Sequence, residues 1–237
     1  MAVSVVDDLS GRIEAACVGA LAGEAVAGVA AGAADLLGVA ESAAASGGFV
    51  EADLRQRGLE RPSRSGPAGL LLRALPFGML TPLDRPRLRR DAYRCVSLAG
   101  ADEGTAVAAV AAAILVADLM RFDVHTALVR VRQSLLEDAP MALLERLTPQ
   151  AADAPPEDGT ADAVLQAAIS AIADASTVQD AVDRAGSGPP VAVSMAGALA
   201  GAHLGRAATA GIDVEQLSHG DRALQVARRL GERAEAT

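Results

Sequence analysis

Residues 104–122 read GTAVAAVAAAILVADLMRF. Apolar side chains fall on nearly every side of a helix drawn through this stretch, which predicts a central helix buried all round. The longest apolar run, Thr105 to Ala117, stops at Asp118. It is too short to cross a bilayer, which takes about 20 apolar residues.

Outward from this segment the chain keeps a helical texture. Toward the C-terminus, Asp123 is placed to cap a helix reaching about Leu136, and a short helix follows over Met141–Leu147. Thr148–Gly159 reads TPQAADAPPEDG and is expected to be a flexible loop. Helices are predicted over Asp162–Asp174 and Thr177–Arg184. The run Gly186-Ser187-Gly188-Pro189-Pro190 then breaks the chain. Val191–Ala208 reads as a second buried helix of small residues, and Asp221–Glu235 as an amphipathic closing helix.

Toward the N-terminus, Arg87–Leu98 is helical. Arg61–Pro86 holds five of the 11 prolines and three glycines. It reads as an ordered loop with one buried turn at Leu70–Leu75. Val50–Gly58 is a short helix, and Val29–Ser46 a longer one stopped by Gly47-Gly48. Leu9–Gly28, capped by Asp7 or Asp8, opens the fold. Gly19 and Gly23 share one of its faces and let a neighbouring backbone come close. About ten helices with short connections predict one all-α domain over 1–237, compact and orthogonally packed.

Composition narrows the function classes. The chain has 237 residues, of which 55 are alanine and none lysine. Alanine favours helices and disfavours strands. With three Phe, one Tyr and no Trp, the stacking surface of a base-reading module is missing. The net charge of −9 argues against nucleic acid and anionic membrane as partners. Cys17 and Cys95 sit in apolar contexts and read as reduced, buried residues. No basic segment precedes Asp7 and Asp8, so a cytoplasmic location is expected.

The charge is unevenly spread. Ten arginines lie between Arg55 and Arg94, opposed there only by Glu60, Asp84 and Asp91. Such a field can draw a phosphate, a nucleotide or an acidic partner. It can equally be a solvated face of ordinary ion pairs. His125, His203 and His219 are scattered, and none has a His or Cys at metal-ligand spacing. No nucleophile elbow, phosphate loop or dinucleotide fingerprint is present. The carboxylates inside the apolar helices, including Glu24 and Asp35, stand isolated in sequence.

Four stretches, taken together and in order, resemble a known family. Gly11–Ala25, GRIEAACVGALAGEA, is similar to the opening helix of ADP-ribosylglycohydrolases, roughly R-I-x-G-A-L-L-G-x-A-x-G-D-A. Ala40-Glu41-Ser42 with Gly47-Gly48-Phe49 resembles the end of their second helix. Arg73–Leu80, RALPFGML, resembles their M-R-x-x-P-x-G-L segment. Ala196–Ala202 with Gly205 resembles their A-G-A-L-A-G-A-x-x-G helix.

The resemblance implies the fold of that family. It also implies a site where two Mg²⁺-type ions, held by Asp, Glu and Thr, bind ADP-ribose and help water attack its anomeric carbon. This sequence departs from that site. The family's T-D-D-T position holds Ala30-Ala31-Gly32-Ala33. Its D-T-D-T position holds Gly188-Pro189-Pro190-Val191. Its histidine would fall near Ser97-Leu98, its opening Asp is Glu24, and the connection between the first two helices is shortened. Methyl groups, glycine and proline cannot hold a divalent cation, so no metal and no cofactor is expected.

Two readings follow from different classes. One is a catalytically degenerate relative that binds an ADP-ribose-like or other anionic small molecule, or a protein partner, with Arg64, Arg73 and Ser97 as ligand contacts. The other is a metal-free hydrolase or lyase on a small anionic or nucleoside-like substrate. It would use Glu24, Asp35 and His203 as acid and base, because a carboxylate buried among alanines gains a raised pKa. A scaffold or regulatory subunit is a third possibility. For Glu24 the plain alternative is a buried, hydrogen-bonded or helix-end carboxylate, and for each histidine a core or surface residue.

Overall fold

The computed structural model describes residues 9–147 and 159–236, and among these the chain is all-helical. In order, the helices are α1 (Leu9–Ala27), α2 (Ala33–Ser46), α3 (Glu51–Gln56), α4 (Leu70–Leu80), α5 (Arg85–Leu98) and α6 (Glu103–Leu119). They continue as α7 (Val124–Leu135), α8 (Met141–Arg146), α9 (Ala161–Ile172), α10 (Val178–Ala185), α11 (Pro190–Leu204) and α12 (Gly220–Glu235). Asp7, Asp8 and residues 148–158 of the loop expected over Thr148–Gly159 lie outside the described residues.

Helix α6 is the centre of the molecule. Every residue of α6 from Thr105 to Leu119 is buried, and α4, α5, α7, α9 and α11 pack around it. Asp102 caps α6 by accepting from the Thr105 amide at 2.7 Å. Asp123 caps α7 in the same way, from Thr126 at 2.9 Å. Asp118, 0% exposed near the end of α6, meets Arg85 Nη2 at 3.0 and 2.9 Å and so ties α5 to the centre. Cys17 and Cys95 are free and buried, and burial pushes both thiols up to about 12.

The second organising feature is a seam between α1 and α11. A Cβ on Gly19 would lie 2.1 Å from the Gly197 carbonyl oxygen, and one on Gly197 would lie 2.0 Å from that of Gly19. Gly23 stands against Val193 and Gly201 against Ala15 in the same manner. The pairs 23–193, 19–197 and 15–201 make the helices antiparallel, with backbone pressed on backbone. Ser194 Oγ donates to the Ala20 carbonyl across the seam at 2.8 Å.

Three expectations are corrected. Leu70–Leu80 is a full helix containing Pro76, not one turn in a loop, and all eleven residues are buried. Packing against α2, α5 and α6 outweighs the local cost of a proline, whose missing N–H leaves one carbonyl without its helical partner. At Gly78 the backbone of α4 comes so close to α6 that a Cβ would sit 2.1 Å from the Ala113 oxygen. The second helix starts at Ala33 rather than Val29, because Gly28 and Gly32 take positive φ of 68° and 107°, which ordinary helix excludes. Helix α11 ends at Leu204, and Gly205 at φ 78° leads into a separate 3-10 turn over Arg206–Thr209.

Candidate functional site

The antiparallel seam fixes which termini share an end of the molecule. Gly23 beside Val193 puts the C-terminal turn of α1 next to the first turn of α11. Glu24, half-buried, reaches over to the head of α2. Its Oε2 accepts from the Ala31 amide at 2.9 Å and the Ala33 amide at 2.8 Å. Ala33 opens α2 and Ala31 lies two residues before it, so the carboxylate satisfies both amides and meets the positive end of the helix. The segment before α4 closes on the same place, with Ser65 Oγ donating to the Ala30 carbonyl at 2.9 Å. A Cβ on Gly32 would touch Leu72 at 3.3 Å.

The positions singled out by the resemblance therefore do converge. Glu24, Ala30–Ala33 and Gly188–Val191 occupy one end of the α1–α11 pair. Their chemistry is thin: of these nine residues only Glu24 carries a side-chain oxygen, and one of its two oxygens is committed to the two amides. Among the described residues, no group of three or more His, Cys, Asp or Glu could hold a metal ion.

A cleft of about 580 Å³ is lined by Pro67, two residues after Ser65, by Asp102, Gly104 and Thr105 at the start of α6, and by Gly159, Thr160 and Asp162 at the start of α9. Hydrogen bonds from Thr105 hold the Asp102 carboxyl below its usual range. Asp162 pairs with Arg146 at 3.3 Å. Sequence reasoning missed these residues, although Asp102 and Thr105 carry the three-residue spacing of a helix cap.

The other candidates are distributed as follows. Asp35, in the first turn of α2, accepts from Arg73 Nη2 at 2.7 Å and Nε at 3.0 Å. Arg73 is 3% exposed and also gives Nη1 to the Leu59 and Arg61 carbonyls at 2.8 and 2.7 Å. It thus ties the head of α2 to the chain before α4. Arg64 is exposed next to Ser65 and has no carboxylate partner among the described residues. Ser97 is exposed near the end of α5.

His203 lies elsewhere. Ten residues of α11 separate it from Val193, about 15 Å at 1.5 Å per residue. It sits beside the other end of α1, where Arg12 donates to the Ala202 and His203 carbonyls. Burial pulls its pKa down, against weaker opposing effects of the Leu119 and Phe122 carbonyls. Glu24 and His203 thus cannot act as an acid–base pair, which corrects that part of the metal-free enzyme reading.

The arginine cluster also resolves in space. Eight of the ten carry ion pairs, several to carboxylates brought from outside the segment: Arg57 to Glu41, Arg73 to Asp35, Arg85 to Asp118 and Arg89 to Asp138. Arg55, Arg61, Arg87 and Arg90 pair more locally. The surplus counted along the sequence is largely neutralised by folding.

Comparison with known proteins adds the following. A family model described as ADP-ribosylglycohydrolase matches residues 30–237. No curated protein matches. Nine solved chains do. One of them, described as "ADP-ribosylglycohydrolase-related protein complex", superposes with a TM-score of 0.81 at 19% identity, over 96% of this chain and 99% of that one. At that identity the likeness is one of fold.

Proposed function

The chain belongs to the ADP-ribosylglycohydrolase family, and we propose that it is a member that binds a ligand without hydrolysing it. The observation that carries this reading is the state of Glu24. Its Oε2 caps α2 through the Ala31 and Ala33 amides, while Ala30–Ala33 and Gly188–Val191 offer no side-chain oxygen at all. Hard divalent cations need several oxygens each, usually from converging carboxylates, carbonyls and waters. The donors at this end do not fit a pair of them.

The ligand proposed is a nucleotide or ADP-ribosyl-type molecule in the cleft lined by Pro67, Asp102 and Asp162. The starts of α6 and α9 present backbone N–H groups and the positive ends of their dipoles to it. Asp102 and Asp162 are acceptors for sugar hydroxyls, and Arg64, exposed three residues before Pro67, suits a phosphate.

Calorimetry with ADP-ribose, with and without Mg²⁺, tests this. The expected result is binding whose Kd changes by less than about twofold on adding Mg²⁺, with no sugar released from an ADP-ribosylated arginine substrate. Mg²⁺-dependent binding or turnover would overturn the loss of hydrolysis. No binding under either condition would overturn the ligand class.

A further inference from the structure

Away from this site, α5, α6 and α7 enclose a groove of about 360 Å³ that the proposed function does not use. Its floor is apolar: Val107 and Val110 from α6 and Leu135 from α7. Its rim carries Arg89, Arg90, Tyr93 and Arg94 on α5. Tyr93, the only tyrosine in the chain, is 40% exposed.

The groove's own carboxylates are already engaged. Asp138 is held by Arg89, and Glu103 accepts from the Tyr93 hydroxyl at 3.0 Å. Asp91 is nearly buried and is shared between Arg90 at 2.9 Å and Arg87 at 3.9 Å. Arg94 has no ion pair among the described residues; its guanidinium lies 4.5 Å over the Phe49 ring. The aromatic ring fixes that guanidinium without satisfying its N–H groups. Arg90 and Arg94 therefore stand at the rim with unspent donors, on a chain whose net charge is −9.

We propose that this groove docks an acidic amphipathic segment of a partner protein. The apolar floor would take Leu- or Phe-type side chains, and Arg90 and Arg94 the carboxylates flanking them. Helix-in-groove docking reads such a pattern as anchors one turn apart, and exposed tyrosine and arginine are the residue types that dominate interface energetics. A nucleic acid fits less well, because it offers no apolar side chains to the floor. This inference is independent of the ligand proposed above.

Selection from a random 12-residue peptide library on the full-length protein provides the test. The winners are expected to be rich in Asp and Glu, with Leu or Phe recurring at three- and four-residue spacing. Their affinity should fall at least about tenfold in the surface double variant R90E/R94E, with unchanged helix content by circular dichroism. An oligouridylate should not compete. Winners without acidic bias, no winners, affinity indifferent to R90E/R94E, or displacement by oligouridylate would each overturn the proposal.

Discussion

Two regions of this molecule are built from the same small residues and use them in opposite ways. At the α1–α11 seam, Gly19, Gly23, Gly197 and Gly201 are there because nothing else fits: any Cβ would meet a backbone atom at 2.0 to 2.4 Å. At the α1–α2 connection, Gly28 has nothing within 4 Å of a would-be Cβ, and Val29 and Ala30 are exposed. The seam is small because it is crowded. The connection is open from Gly28 to Ala30, where the stretch that the family resemblance fills with acids and hydroxyls begins. Composition alone cannot separate these meanings; the distance to the next atom can.

The comparison can be broken most directly at the seam. Gly197→Val should cost about 3 kcal/mol or more by overpacking, read as a lower urea midpoint at unchanged slope. A loss below about 1 kcal/mol, the scale of an ordinary surface change, would mean that the seam opens easily. Next comes the tie behind the head of α2. Arg73→Ala removes a buried partner of Asp35, and about 2–3 kcal/mol is expected, at the low side for broken buried pairs because Asp35 is 30% exposed. Glu24→Ala should cost about 1 kcal/mol, the worth of a helix cap, measured by the same titration.

At the open connection itself, Ala30→Asp should change stability by no more than about 0.5 kcal/mol. A large loss there would show that Ala30 is constrained like the seam glycines. The smallest signal lies at the far end, at His203. Its folded pKa is lowered by burial, so between that value and the unfolded value of about 6.5 the unfolded chain binds more protons. Stability therefore rises with pH through this window and is full above it. His203→Gln should flatten the slope of stability against pH below 6.5, as seen in melting temperatures measured across that range.

The two regions were also unequally legible in the sequence. Helix α6 could be placed from its apolar pattern and α7 from its aspartate cap, and the meaning of Gly19 and Gly23 as a close-packing face was readable from their spacing. Helix α4 was not, because Pro76 and Gly78 are local breakers and only the neighbours α2, α5 and α6 show why a helix survives there. The arginine cluster misled for a related reason. A charge count along the chain cannot see Asp35, Glu41, Asp118 and Asp138 arriving from other helices. Glu24 was legible as a surviving carboxylate, but its occupation by the Ala31 and Ala33 amides depends on the turn through Gly28 and Gly32. The separation of Glu24 from His203 follows from the antiparallel seam, which no local pattern encodes.

The seam has a consequence in time as well as in space. Its two faces are 178 residues apart, counted from Gly19 to Gly197. During synthesis at about 5–20 residues per second, the glycine face of α1 waits some ten seconds or more before α11 exists to cover it. Until then that glycine face is an uncovered strip of backbone, so the growing chain is exposed to mispairing through most of its own manufacture.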